Sequence, residues 1–197
     1  MKKITLIFST LFLAFVSVNA QETKWGFDKA HSKIQFDVAH MVISEVSGQF
    51  QEYEGTVVTS KEDFSDAKID FSITVKSIDT DNEDRDKHLR SADFFDVEKY
   101  PKVTFSSKEM KKVSDNLYQL TGDLTLHGVT NEVTLNLKYG GTVKDPYGNV
   151  KAGFKITGII NRTDFGLKYN SVMDSGGMLI GEEVTIICNV ELIKLNN

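Results

Sequence analysis

The stretch Lys68-Ile69-Asp70-Phe71-Ser72-Ile73-Thr74-Val75-Lys76 decides the fold class. Ile69, Phe71, Ile73 and Val75 fall on one phase of a two-residue repeat, and Lys68, Asp70, Ser72, Thr74 and Lys76 on the other. Successive side chains of a β-strand point to opposite faces, so the pattern predicts a strand with one apolar and one wet face. The same alternation recurs outward in both directions. Ile34, Phe36 and Val38 alternate with Lys33, Gln35 and Asp37. Tyr118, Leu120, Leu124 and Leu126 share a phase, with Gly122 between them. Val133, Leu135, Leu137 and Tyr139 follow, then Val150, Ala152, Phe154 and Ile156, then Val184, Ile186, Cys188, Val190 and Leu192.

Turn chemistry separates these runs. Asp145-Pro146-Tyr147-Gly148 carries the residues a type I turn prefers at its first, second and fourth positions. His127 to Asn131 reads as a tight hairpin loop, and Gly140-Gly141 and Gly176-Gly177 are further breakers. One charged run, Glu83 to Ala92, is the single expected helix, started by Asp79–Asp81. The result is an all-β chain of eight or nine strands, many of them about ten residues, or roughly 33 Å, long. Such strands suit a β-sandwich or a closed antiparallel barrel, and a barrel of eight holds either a side-chain core or one elongated ligand. Periodicity leaves both architectures open.

Composition bounds the function. The chain has 197 residues, 40% hydrophobic and 26% charged, as an ordinary globular domain does. Cys188 is the lone cysteine, which excludes an internal disulfide and any zinc site built on paired cysteines. A net charge of −5 and a pI near 5.4 argue against a nucleic-acid partner, which needs cations to displace phosphate counterions.

Residues 1–20 are expected to be a signal peptide. Lys2 and Lys3 precede an apolar run from Ile4 to Val18, and Val18-Asn19-Ala20 suits cleavage before Gln21. A membrane span would need roughly twenty apolar residues, which this run lacks. Cleavage removes two lysines and no acid, taking the charge from −5 to −7. Residues 21–197 are then one periplasmic or secreted domain, too acidic to rest on a basic membrane-binding patch and without stable membrane insertion.

The polar candidates are few. His31, His40, His88 and His127 show no paired metal-ligand spacing, so no metal site is expected. Asp79-Thr80-Asp81-Asn82-Glu83 opens like a calcium loop but has Asp84 where glycine is needed and Arg90 where the closing glutamate belongs. Arg85, Asp86, His88 and Arg90 cluster on the expected helix, with Asp86 and Arg90 spaced for an i, i+4 pair. Arg162 and Asp164 read as another pair, and Cys188 as a small buried hydrophobe. No nucleophile elbow, phosphate loop or paired catalytic carboxylates occur, so an enzyme and a bound cofactor are both disfavoured.

An ordered set of segments resembles the YceI-like family of exported, lipocalin-like lipid-binding proteins. It begins with Asp28-x-x-His31-Ser32-x-Ile34-x-Phe36, His40 and Gly48-x-Phe50. Arg85-Asp86-x-His88-Leu89, Asp93-Phe94-Phe95-Asp96-Val97-x-x-Tyr100-Pro101 and Phe105-x-Ser107 follow. Gly122 to Thr130, Arg162-Thr163-Asp164-Phe165-Gly166 and Gly181-Glu182-Glu183-Val184 complete it, so the likeness runs from about Trp25 to Leu192. The resemblance implies an eight-stranded extended antiparallel barrel, lipocalin-like, with one short helix between strands. It also implies a carrier that holds a long-chain isoprenoid or similar amphiphile in its lumen.

On that reading Ile34, Phe36, Phe50, Phe71, Ile73, Phe105, Leu124, Leu126, Phe154, Ile156 and Ile186 are the expected lumen lining. Arg85 and His88 are the candidate headgroup donors, on a polar segment that leads into Phe94 and Phe95. Two other functions fit the residues. One is a stress-related or interaction protein whose barrel is filled by its own side chains, and the other is an isoprenoid-quinone carrier serving a redox enzyme. The oligomeric state stays open, a homodimer included.

Overall fold

A computed structural model describes residues 21–173 and 176–195, and the expected signal peptide lies outside them. Eleven strands occur in chain order: β1 (Thr23–Phe27), β2 (Lys33–His40), β3 (Ser44–Phe50), β4 (Tyr53–Thr59), β5 (Lys68–Thr74) and β6 (Ile78–Asp79). After the helix α1 (Glu83–Arg90) come β7 (Lys102–Ser114), β8 (Leu117–Leu126), β9 (Val129–Lys144), β10 (Val150–Asn161) and β11 (Ile180–Lys194).

The pairings reduce these eleven strands to eight staves. β11 pairs with β1 at Leu192–Lys194 and with β2 at Ile180–Asn189, so β1 and β2 are one strand interrupted at Asp28–Ser32. Likewise β3 pairs with β2 while β4 pairs with β1, and β6 pairs with β3 while β5 pairs with β4. Three broken staves and β7 through β11 then follow one another antiparallel around a ring that β1 and β11 close. The fold is an eight-stranded up-and-down barrel. Closure removes the unpaired edges that an open sheet exposes to other chains.

The apolar phase of every strand turns inward. Along β8 burial alternates residue by residue, with Tyr118, Leu120, Leu124 and Leu126 inside. Gly122 keeps the same phase for a steric reason. Phe105 on β7 lies flat across it, and a Cβ there would stand 2.5 Å from Phe105 Cζ. Phe36 crosses Gly48 in the same way. Glycine opposite phenylalanine lets the ring lie along the wall instead of filling the lumen.

Local readings change at the strand ends. Val75 does not extend β5; it opens a 3-10 turn, Val75–Ser77, in which Ser77 Oγ donates to Thr74 O at 2.7 Å. The hydroxyl competes for the ladder and breaks the stave, yet Val75 stays buried. The β8–β9 loop is tighter than expected, only His127-Gly128, both at positive φ as a type I′ turn requires. The Asp145–Gly148 turn forms as expected, with Gly148 N donating to Asp145 O at 3.0 Å.

The helix stops at Arg90, short of Ala92, and its N-cap is Asn82, whose side chain accepts from Arg85 N. Asp86 and Arg90 do not pair. Asp86 accepts from Thr80 N at 3.0 Å and Thr80 Oγ1 at 2.6 Å, while Arg90 reaches the carbonyls of Lys76 and Ile78. Both side chains bind the helix to the β6 end, a stronger need than mutual attraction at the surface. Arg162 and Asp164 do not pair either; Arg162 turns inward to backbone carbonyls, described below.

Candidate lipid-binding site

The two barrel ends are built differently. At one end the β4–β5 loop, residues 60–67, folds across the opening. Asp66 accepts from Ser60 N at 3.0 Å and Lys61 N at 3.2 Å, and from the Thr59 hydroxyl, which shapes the loop around its own carboxylate. That turn drives Phe64 into the barrel, where it is 1% exposed. Its ring packs against Trp25 at 5.1 Å, Phe154 at 5.0 Å and Tyr139 at 5.6 Å between centroids. Tyr118 Oη donates to Asp63 O at 2.9 Å and fastens the loop from the wall.

At the other end β6 pairs with β3 only, and β7 begins at Lys102, so a gap opens in the wall. Helix α1 spans it. Arg85 Nε donates to Thr80 Oγ1 at 2.7 Å and Nη2 to Thr80 O at 2.6 Å, which sets the helix on the rim. His88 lies edge-on to Phe94 at 5.0 Å and to Tyr169 at 4.9 Å, and its Nε2 meets Asp93 Oδ2 at 3.0 Å. Phe94 and Tyr169 pack at 4.8 Å, so the helical segment touches the β10–β11 connection across the mouth.

Between plug and mouth lies a cavity of about 440 Å³. All eleven sequence-expected lining residues border it, as do Arg85 and His88. Ile34, Ile73, Phe105, Leu124, Leu126 and Phe154 are buried in the wall. Phe36, Phe50, Phe71, Ile156 and Ile186 point inward yet are only half-buried, because open space stands in front of them. That volume falls in the range of small-molecule sites, about 300–1,000 Å³.

Several lining residues escaped the sequence reading. Leu167 and Tyr169 lie in a stretch without strand periodicity, and Phe95 and Leu89 flank the helix end. Arg162, which the sequence pairs with Asp164, does not pair with it. It is instead 4% exposed and borders the cavity, with Nε donating to Gly181 O at 2.8 Å and Nη1 to Leu167 O at 2.5 Å and Tyr169 O at 3.1 Å. Burial holds its pKa below the usual arginine value. The carbonyls it gathers hold the β10–β11 connection against the start of β11. Its signal was the sequence Asn161-Arg162 at a strand end, where a capping asparagine accepts from Thr163 N.

Chemistry elsewhere is sparse. The Cys188 thiol is pushed up to about 12 by burial, so it stays protonated in the wall at neutral pH. Asp28, His31 and Glu191 are close enough to hold a cation together. Lys151 Nζ already stands there, 2.8 Å from Asp28 and 2.7 Å from Glu191. The Lys151 ammonium and the neighbouring His31 hold the Asp28 carboxyl well below the usual range. This group ties the break between β1 and β2 to β10 and β11.

A closed barrel plugged at one end, apolar within and polar at one rim, defines a class: small antiparallel barrels with an internal cavity. The chain belongs to the YceI-like domain family, which it matches over residues 25–192. A UPF0312 protein from Staphylococcus aureus (strain N315) is 38% identical over 170 residues, spanning 86% of this chain and 96% of the relative. The crystal structure of Burkholderia cenocepacia BcnA superposes with a TM-score of 0.73 at 22% identity, covering 84% of this chain and 98% of that one. A polyisoprenoid binding domain from Saccharophagus degradans, implicated in plant cell wall breakdown, gives a TM-score of 0.63 at 15% identity over 87% of this chain and 98% of that domain. These likenesses agree with the eight-stranded barrel. No helix among the described residues is long and apolar enough to cross a membrane.

Proposed function

We propose that the protein is a non-catalytic carrier that takes a long-chain isoprenoid or similar amphiphilic lipid into its barrel and shields the chain from water. The observation that carries this reading is the apolar cavity of about 440 Å³ inside the barrel, lined by Phe64 at the plugged end and by Arg85 and His88 at the rim. Each buried methylene contributes about 0.8 kcal/mol, so one five-carbon isoprene unit brings roughly 4 kcal/mol before ordering costs. A few units suffice for micromolar binding without an ion pair. The likeness to a polyisoprenoid binding domain supports the same ligand class. The open lumen favours this reading over a barrel filled by its own side chains.

The chain enters tail first toward Phe64 and leaves its headgroup at the rim. Arg85 uses Nε and Nη2 on Thr80, leaving Nη1 to donate to a phosphate, hydroxyl or amide, and His88 stands one turn away on the same helix. The leader expected at residues 1–20 supports a site of action in the periplasm or outside the cell. Native mass spectrometry of protein purified from its own host tests the reading. A co-purifying lipid released by denaturation is the expected result. Finding neither bound lipid nor uptake of a long-chain probe overturns it.

A further inference from the structure

The β2–β3 hairpin turns at Met41-Val42-Ile43, and its conformation is costly. Met41 and Val42 both adopt left-handed backbone, at φ 53 and φ 65. A turn of this kind favours Asn-Gly, and a β-branched valine there is strained. The tip is also exposed. Val42 is 80% and Ile43 84% accessible, so two large apolar side chains stand in water. Strain and exposed apolar surface at one point signal a function that folding does not explain.

The tip is joined to a second apolar segment. Met41 N donates to Leu179 O at 2.8 Å, and Met178 bridges to Val172, both of them exposed. Together they form a ledge at the mouth end of the barrel, where β2, β3 and β11 have their mouth-side ends. Residues 41–44 contain no charged side chain, and the stretch 169–180 carries a single one in its sequence, Asp174. The ledge also runs into the lumen, with His40 the one polar side chain between Ala39 and the tip. Val38 and Ala39 before the tip, and Leu179 and Ile180 after Met178, already line the cavity.

We infer that this ledge docks on the surface of a lipid bilayer, inserting Met41, Val42, Ile43, Val172 and Met178 among the acyl chains so that a lipid can slide between bilayer and lumen. The inference rests on the carrier reading above and names the partner of the same mouth. A handful of residues on a protruding tip is far from the twenty to thirty per side, about 800 Å², that a stable protein partner needs. The exposed, uncharged Met41-Val42-Ile43 tip suits an acyl layer, where no shape complementarity is required. Because the chain is acidic overall, the attraction is apolar and not electrostatic, so salt leaves it nearly unchanged.

Two variants and two measurements test this. Co-sedimentation with phosphatidylcholine vesicles is measured for the wild type, for V42D/I43D and for M41N/V42G, each at low and high salt. The second variant supplies the residues the turn prefers, so misfolding cannot explain its loss. Wild-type protein is expected to bind the vesicles with little salt dependence, and both variants to lose about ten-fold or more in partitioning. A short-chain fluorescent lipid, soluble without vesicles, is expected to bind all three proteins alike, since none of the altered residues lines the lumen. Docking is overturned by a wild type that ignores vesicles, or by variants that partition as it does. A concentration-dependent dimer that V42D/I43D dissolves also overturns it, by assigning the ledge to a second copy. Vesicle binding without uptake of the soluble probe removes the carrier reading and leaves the docking surface standing.

Discussion

The two ends of this barrel are made of similar residues put to opposite uses. At the plugged end the aromatic rings of Trp25, Phe64, Tyr139 and Phe154 interlock, and the β4–β5 loop holds Phe64 among them. At the mouth Phe36 and Phe50 face each other at 5.7 Å, and Phe95 meets Phe50 at 6.1 Å, yet Phe36, Phe50 and Phe95 remain only half-buried. Aromatic content does not distinguish the two. What differs is whether a loop supplies the last ring that fills the space. Phe64 comes from a connection and completes a core, while the phenylalanines on the mouth staves lie along the wall, over glycines where they have them, and leave a lumen.

Removing Phe64 should break the comparison most sharply. Phe64→Ala deletes a ring that is 1% exposed and opens a cavity among three aromatic partners. Large-to-small changes at such sites cost about 3–5 kcal/mol. Chemical denaturation should report that loss. The lumen should also become open at both ends, and lipid-probe binding should then tolerate longer chains. A loss below about 1 kcal/mol would mean that the plugged end is not packed as a core.

Phe71 sets the opposite expectation in the lumen. It is half-buried beside Phe27 and Tyr53, and it faces the cavity. Phe71→Ala should lose clearly less stability than Phe64→Ala, because the removed ring already borders open space. Probe affinity should shift among chain lengths. A stability loss equal to that of Phe64→Ala, with no lipid bound by the wild type, would support the side-chain-filled alternative.

The headgroup proposal is narrower. Replacing a donor should weaken binding by about 1–3 kcal/mol. Arg85→Ala and His88→Ala are therefore expected to lower affinity for a long-chain alcohol or phosphate. His88→Ala should cost only a little stability, since its partner Asp93 is exposed and what is lost besides is the edge contact to Phe94 and Tyr169. Arg85→Ala should also loosen the helix N-terminus slightly through its bonds to Thr80. Unchanged affinity in both variants removes α1 from the site.

The barrel was legible because its signal is a two-residue period repeated on every stave, and period survives without any knowledge of contacts. Ile34, Phe71, Leu124 and Phe154 could be placed facing inward from phase alone. The breaks were less legible. Val75 keeps the apolar phase of β5, and only the hydrogen bond from Ser77 Oγ to Thr74 O reveals that the stave has ended. Arg162 illustrates a different loss. A charged residue two positions from an aspartate reads as a pair, whereas its real partners are backbone carbonyls of Ile180 and Gly181 at the start of β11 and of Leu167 and Tyr169. Carbonyls belong to every residue, so no side-chain pattern announces them. The same holds for Phe64, one apolar residue in a polar loop, whose role depends on Asp66 folding that loop inward.

Acid should separate the ends by the smallest effect and the finest measurement. In the loop that carries Phe64, burial alone would raise the Asp66 carboxyl, but the Thr59 hydroxyl and the amides of Ser60 and Lys61 outweigh it and leave the pKa below the ordinary 3.8. Asp63 in the same loop is lowered by the Ser65 amide, and Asp28 is held far down by Lys151 and His31. Each group is therefore ionised in the folded protein at a pH where the unfolded chain has begun to take up protons. The unfolded state binds more protons below about pH 4, so stability falls as the pH drops. The contribution is complete above that value and disappears as the pH passes down through the folded pKa values. Asp66→Asn should cost about 1 kcal/mol at neutral pH, the usual worth of one such hydrogen-bonded group. Its stability should decline less steeply than the wild type's between about pH 4 and pH 2. Amide hydrogen exchange resolves where this happens. Protection should fall first at residues 60–67 and around Phe64, while the amides of α1, on the far side of the lumen, hold. Equal loss at both ends would mean that acid unfolds the barrel as a whole and that the plug is not a separately fastened element.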